Sequence, residues 1–316
     1  PDAIEDAPFL AYDGRLLRFY SSSDSASNRT YDPTENMPAF WKGRARPIFT
    51  KTLRRGGRRV HAVSLRFRGV LVTEDGGNYQ ELQGLPPRSM PSGPGWPRLY
   101  RDVLDIWQNP SREEELIAIN KYNVLFSRDF GRTFTKVPLT GDFLEKAILS
   151  SITARVDASG NVREFYLGTF IRGVARCTFY ADYSRMRCRN AGKGLPYLTD
   201  SPGSYFVEEI SGMALDEANQ RLLVSTRFQP SVAVLDLKSG GARWAVTPLP
   251  GLNGGDHAES LYYDARRGRA YVPTNRGLYS FDPGSAVLRR LPRKELFTGY
   301  DKSCLLLCSS ADTPAE

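Results

Sequence analysis

The segment from Asn123 to Phe134 constrains this chain more than any other. An apolar run, Val124-Leu125-Phe126, passes directly into Ser127-Arg128-Asp129-Phe130-Gly131-Arg132-Thr133-Phe134. The apolar run reads as a strand. Asp129 can fold its carboxylate back onto backbone N–H groups of a turn, and Gly131 supplies a positive φ without a Cβ clash. Thr133 and Phe134 then begin a returning strand, with the ring available to pack on a neighbouring element. The segment therefore predicts a hairpin whose turn is bonded to itself.

Weakened copies recur along the chain. Gly69 to Tyr79 carries Asp75 and Gly77, with its aromatic one residue early, and Gly277 to Gly284 keeps Ser280, Asp282 and Gly284. Ser22-Ser23-Asp24 follows Leu16–Tyr20 and has Ala26 in the glycine place. Cys177 replaces the serine after Gly173-Val174-Ala175-Arg176, and Val232–Asp236 runs on to Gly240. The markers at 22, 73, 127, 177, 236 and 280 are roughly 50 residues apart, and so is the step through both termini from the last to the first.

At Ser127–Phe134 the chain closely resembles the Asp-box of the sialidase-like, or BNR-repeat, β-propellers. The resemblance implies that the box is a folding device at a blade rim. Its structural residues here would be Ser127, Asp129, Gly131, Thr133 and Phe134, with Asp75, Gly77, Ser280, Asp282 and Gly284 in the weaker copies. Six near-equal intervals imply an all-β propeller of six blades, each of four antiparallel strands. Seven is the alternative if residues 1–58 hold a complete blade.

Five blades are expected at 41–86, 100–139, 146–195, 206–250 and 256–292. The sixth would combine residues 8–40 with a strand from Asp301–Cys308, so that the terminal strands pair and close the ring without free sheet edges. Ile152–Asp157, Ser211–Asp216 and Ser260–Asp264 read as first strands; Glu164–Phe170, Arg221–Phe228 and Arg269–Pro273 read as second strands. No long segment has helical periodicity, and Arg112–Asn120 could supply a turn or two at most. Trp107, on an expected first strand, is assigned to the core.

No interior linker divides the 316 residues, so the expectation is one propeller domain over 1–316, which could be one module of a longer protein. The chain starts at Pro1 without initiator Met or signal peptide, as expected of a processed or trimmed product. No apolar run approaches the ~20 residues of a membrane span. Cys177 and Cys188 lie symmetrically about Asp182-Tyr183 and could face each other as a disulfide or remain two buried thiols. Cys304 and Cys308 are too far apart along a strand to bridge each other. With two histidines, His61 and His257, and no metal-spaced Cys/His set, no metal site, cofactor or Ser-His-Asp catalysis is expected.

The net charge of +8 is clustered. Lys42, Arg44 and Arg46 form one group, and Arg289, Arg290, Arg293 and Lys294 another. Arg54, Arg55, Arg58 and Arg59, with Arg266 and Arg267, fall on turns between first and second strands and form a candidate basic patch for an anionic glycan or an acidic protein. Solvated hairpin tips account for the same residues. Nucleic acid is disfavoured, because no aromatic platform interleaves with these arginines. The opposite, inter-blade face offers Arg88, Trp96, Arg98, Asp256, His257 and Tyr300 as candidate binding residues around the channel, with Glu259 nearby.

The favoured reading is a non-catalytic binding or scaffold propeller in an extracytoplasmic setting (periplasmic, cell-surface or secreted), taking a protein or anionic-glycan partner. The family resemblance carries the location. The alternative is a glycoside hydrolase of sialidase type. That family uses three arginines, a Tyr–Glu pair and an acid/base Asp. Its N-terminal Arg motif is matched only by Arg46-Pro47-Ile48-Phe49 in the wrong order, while Tyr300 or Tyr262 with Glu259 are the nearest Tyr–Glu candidates.

Overall fold

A computed structural model describes residues 9–12, 17–20, 29–31, 47–65, 69–74, 78–85, 88–89, 99–100, 102–140, 144, 147–180, 185–196, 208–238, 240, 243–253 and 255–291. All regular structure among them is strand, save a single 3-10 residue at Leu144. An N-terminal sheet joins β1 (Phe9–Tyr12), β2 (Leu17–Tyr20) and β3 (Arg29–Tyr31), all antiparallel. The next sheet runs β4 (Pro47–Arg55), β5 (Arg58–Leu65), β6 (Gly69–Thr73), β7 (Gln80–Glu81). A short ladder pairs β8 (Arg88–Ser89) with β9 (Leu99–Tyr100). The second four-stranded sheet is β10 (Asp105–Asn109), β11 (Arg112–Ile119), β12 (Val124–Ser127), β13 (Thr135–Val137).

The third begins with β14 (Leu139–Thr140), which adds in parallel to the outer edge of β15 (Leu149–Val156), β16 (Val162–Thr169), β17 (Val174–Phe179) and β18 (Met186–Asn190). The fourth comprises β19 (Ile210–Asp216), β20 (Arg221–Thr226), β21 (Ser231–Asp236) and β22 (Trp244–Pro248). The fifth comprises β23 (Tyr262–Asp264), β24 (Arg269–Thr274), β25 (Gly277–Asp282) and β26 (Val287–Arg290).

The chain is thus an all-β propeller with five blades of four antiparallel strands among the described residues, where the spacing predicts six or seven. The difference lies in the interval that passes through both termini. Of it the described residues hold the three-stranded sheet β1–β3, and the expected closing strand at 301–308 lies outside them. By contacts the chain falls into two compact units, Pro1–Ile117 with Phe126–Thr135 and Lys294–Thr313, and Ala118–Leu125 with Lys136–Arg293 and Pro314–Glu316.

Central strands are apolar almost throughout because both blade faces are covered. All five residues of β6 are buried, as are six of the eight in β5. Outermost strands are not: β26 is exposed at three of its four positions. This contrast explains one departure from expectation, since Arg112–Asn120 is mostly strand rather than a helical turn. Arg112 and Glu114 reach solvent, while Glu115 is buried against Asn109 and Leu116, Ile117, Ala118 and Ile119 are wholly buried, and that burial overrides the helix preference of the glutamates. Trp107 is half-buried on β10, and Ile106 takes the core position instead.

Within the second unit the blades pack through two apolar layers. Tyr166, Val174, Ile210, Met213, Leu222 and Trp244 belong to one, and Leu223, Val232, Ala258, Val272, Tyr279 and Phe281 to the other. First strands start with a register shift, between Leu149 and Ser151 in β15 and between Ile210 and Gly212 in β19. Backbones come very close there. A Cβ on Gly212 would lie 2.2 Å from the Leu261 backbone nitrogen, and one on Gly168 would lie 2.2 Å from Ser151 Oγ and 2.8 Å from Ile210 Cγ2. Only glycine fits against the backbone at position 212, because a peptide nitrogen cannot swing aside as a side chain can.

Gly212→Ala is accordingly expected to destabilise the protein by about 3 kcal/mol, the upper end for over-packing. Gly240→Ala, where a Cβ meets nothing within 4 Å, reports the cost of the positive φ alone. Equal denaturation midpoints for the two variants would contradict the close-approach argument.

Candidate functional site

The turn after β12 closes on itself. Ser127 Oγ donates to Asp129 Oδ1 at 2.8 Å and accepts the N–H groups of Gly131 (2.8 Å) and Asp129 (3.3 Å). Asp129 accepts the Thr133 N–H at 2.9 Å on one oxygen and the Thr133 hydroxyl at 2.7 Å on the other. Burial works against ionisation, but these donors hold the Asp129 carboxyl below its usual range. Phe130 and Gly131 both have positive φ, and the Phe130 N–H bonds Glu114 O, tying the turn to β11. Thr133 and Phe134 precede the return strand, which starts at Thr135. In the weaker copy Asp282 Oδ1 accepts Gly284 N–H at 2.8 Å, while Ser280 is buried on β25. Asp75 and Gly77 lie outside the described residues.

The basic residues have local partners. Arg54–Arg59 forms the β4–β5 tip, pinned by Gln108, which accepts Arg54 N–H (2.7 Å) and donates to Arg54 O (2.6 Å), and by Glu113, which accepts Gly57 N–H (2.9 Å). Arg55 lies over the Phe130 ring at 5.1 Å, and Arg58 faces Glu74 at 3.6 Å. Arg59 is exposed and helps depress the pKa of buried His61 to about 4, after burial itself. Arg266 and Arg267 sit on the β23–β24 turn, whose Asp264 accepts both their N–H groups and lies 3.6 Å from the Arg267 guanidinium. Cys177 and Cys188 are directly opposed on β17 and β18 and joined by a disulfide, with Cα atoms 4.1 Å apart.

A Tyr–Glu pair flanked by arginines does exist, at residues not singled out from the sequence. Glu164 accepts the Tyr166 hydroxyl at 2.9 Å, Arg155 Nη1 at 2.9 Å and Arg176 Nε at 2.5 Å. Tyr166 is completely buried, and burial followed by the charge of Glu164 drives its pKa far up. A substrate has no access to that hydroxyl, so the cluster welds β15, β16 and β17 together. Tyr262 stacks on Tyr271, and Glu259 pairs with His257.

The inter-blade face of the second unit is the richest assembly. In each of three blades the turn between second and third strands is bonded to the segment entering the first. Phe170 N–H bonds Ile148 O, Arg227 N–H bonds Glu209 O, and Asn275 N–H bonds His257 O. Ala258 N–H reaches Arg227 O and links the last two blades. Asp256 is buried and accepts Asn253 N–H (2.8 Å), Arg276 Nε (2.6 Å) and Asn275 Nδ2 (3.2 Å), which together hold its carboxyl low. His257 Nε2 lies 2.7 Å from Glu259 Oε1.

Beside them Glu208 Oε1 accepts Phe228 N–H at 2.5 Å, and Arg227 Nη1 lies 3.5 Å from Glu209 Oε1. Burial raises the pKa of both Glu208 and Glu209. Arg227 opposes the rise at Glu209, while Glu208 and Glu259 add to it. Phe170 and Phe228 project from this face, 36% and 49% exposed, with rings edge to face at 6.1 Å.

Of the channel-face residues expected from sequence, Asp256 and His257 lie here. Arg88 pairs opposite Tyr100 in the β8–β9 ladder, and Trp96, Arg98 and Tyr300 lie outside the described residues. The sequence reading missed Phe170, Glu208, Glu209, Arg227, Phe228 and Arg276. The available signal was positional: Phe170 and Phe228 each stand just past an apolar second strand, where a solvent-side turn calls for polar residues.

The fold is shared with solved structures of low sequence identity. The extracellular domain of BT4673 from B. thetaiotaomicron matches in two structures, at TM-scores of 0.52 and 0.53 and 14% identity, over 96% and 97% of this chain and 35% of theirs. Saccharomyces cerevisiae Sqt1 matches at TM-score 0.51 and 12% identity, over 89% of this chain and 72% of its own. This chain therefore spans about a third of the BT4673 chains, and the likeness is one of fold. No family model and no curated protein matches the sequence. Among the described residues no helix is long and apolar enough to cross a membrane.

Ser127→Ala leaves the buried Gly131 N–H without its acceptor and is expected to cost about 1–3 kcal/mol in denaturant unfolding. Glu209 has a raised folded-state pKa, so its ionised form burdens the fold at neutral pH and stability is regained as pH falls through that value. Glu209→Gln should raise the neutral-pH melting temperature and flatten the dependence of stability on pH above the ordinary glutamate range. An unchanged profile would place the carboxylate in a well-solvated setting.

Proposed function

We propose that the chain is a non-catalytic β-propeller of Asp-box, sialidase-like type that acts outside the cytoplasm and binds a protein partner through its inter-blade face. In this reading the N-terminal sheet and a C-terminal strand complete a sixth blade and close a single domain. The carrying observation is the pair of exposed rings, Phe170 and Phe228, held on turns that are hydrogen-bonded into the blades. Rigid, exposed aromatics lose little entropy on contact and are typical anchors of protein interfaces. The neighbouring charges support binding over hydrolysis: Asp256 is committed to Arg276, and the Tyr166–Glu164–Arg cluster is sealed within a blade. The extracellular neighbours and the Cys177–Cys188 disulfide favour an oxidising compartment. An anionic glycan is the second partner class, supported by exposed Arg58, Arg59 and Arg266.

A photo-crosslinking residue at position 228, compared with one at exposed Val287, tests the reading. A protein adduct specific to position 228 and lost with Phe170→Ser is the expected result. Equal labelling at both positions, or turnover of a fluorogenic sialoside, would overturn it.

A further inference from the structure

Resting on that reading of the inter-blade face, we infer that the partner docks on the Phe170–Phe228 pair with a lysine or arginine side chain set beside an apolar one. The apolar half of the argument is the exposed edge-to-face pair itself. The cationic half comes from the carboxylates around it. Glu208 sits directly behind the Phe228 turn and accepts that residue's N–H. Its other oxygen, and Oε2 of Glu209, are buried and complete no hydrogen bond among the described residues, although the Gln229 and Glu209 N–H groups also lie toward the Glu208 carboxylate. A carboxylate oxygen without a donor in a desolvated place gains from an added N–H group more than a solvated one does.

Two further features point the same way. Glu259 adds a 45% exposed carboxylate close enough to raise the pKa of Glu209, and Ala258 beside it is bonded to Arg227 O. The Arg227 guanidinium, 3.5 Å from Glu209, is also 5.8 Å from the Phe228 ring centre, so this ring already accepts a cation. With Asp256 cancelled by Arg276, Glu208, Glu209 and Glu259 stand against Arg227 and, on the Phe170 turn, Arg172, a balance that differs from the +8 of the whole chain. A cationic group delivered over the rings would meet both features at once, whereas an acidic segment would meet Glu209 and Glu259.

The test is a panel of capped synthetic peptides in which Lys, Arg, Gln or Glu stands beside Leu or Phe, titrated into the whole chain by fluorescence polarisation. Lys- and Arg-bearing peptides are expected to bind about tenfold or more tighter than their Gln counterparts, the scale of a charge-assisted bond. Glu209→Gln combined with Glu259→Gln should remove most of that preference, either change alone should remove part of it, and Phe228→Ser should abolish binding. If Phe228→Ser abolishes binding but Gln, Glu and Lys peptides bind alike, the cationic inference falls and the binding face stands. Tighter binding of the Glu peptides also overturns it. If no peptide binds, or if Phe228→Ser changes nothing, both fall.

Discussion

Burial of blade faces against one another is the interaction on which everything else rests. A four-stranded sheet with apolar side chains on both faces is not stable in water and needs a neighbour on each side. Tyr166 and Val174 of one blade therefore share a core with Ile210, Leu222 and Trp244 of the next, and the pattern repeats one blade further along. Where the first strand of one blade meets the segment entering the next, at Gly212, no side chain fits against the Ser260 and Leu261 backbone. A polar tie, Ser211 to Ser225, joins the first and second strands beside this glycine.

Charge is handled by the same logic. Glu164 lies inside a blade and is held ionised by a tyrosine and two arginines, while Asp256 lies at the inter-blade end and is held ionised by an arginine, an asparagine and a backbone N–H. Both act as structural clamps. Glu208 and Glu209 differ because burial acts on them with only partial compensation. Both stand at the inter-blade face, beside the exposed rings of Phe170 and Phe228.

Much of the fold was legible. Apolar runs bounded by Gly and Asp turns located the five described blades, because a doubly buried central strand must be apolar along its length and its turns must use residues that tolerate tight backbone. The side-chain bonds of Ser127 and Asp129 that close the turn are likewise a local affair, all within seven residues. Arg112–Ile119 was misread because its charges obscured a central strand, and the core role given to Trp107 belongs to Ile106.

The candidate site was far less legible. Spacing could place Asp256 and His257 in an inter-blade loop, but it could not show that Arg276, some twenty residues later, would take up the Asp256 carboxylate. Nor could it show that Phe170 and Phe228, nearly sixty residues apart, would touch. By itself the sequence determined the repeat, the hairpins and the turn chemistry, since these depend on neighbours along the chain. Only the tertiary structure decided which charges are cancelled and which aromatics stay exposed, because burial and pairing arise where separate blades meet.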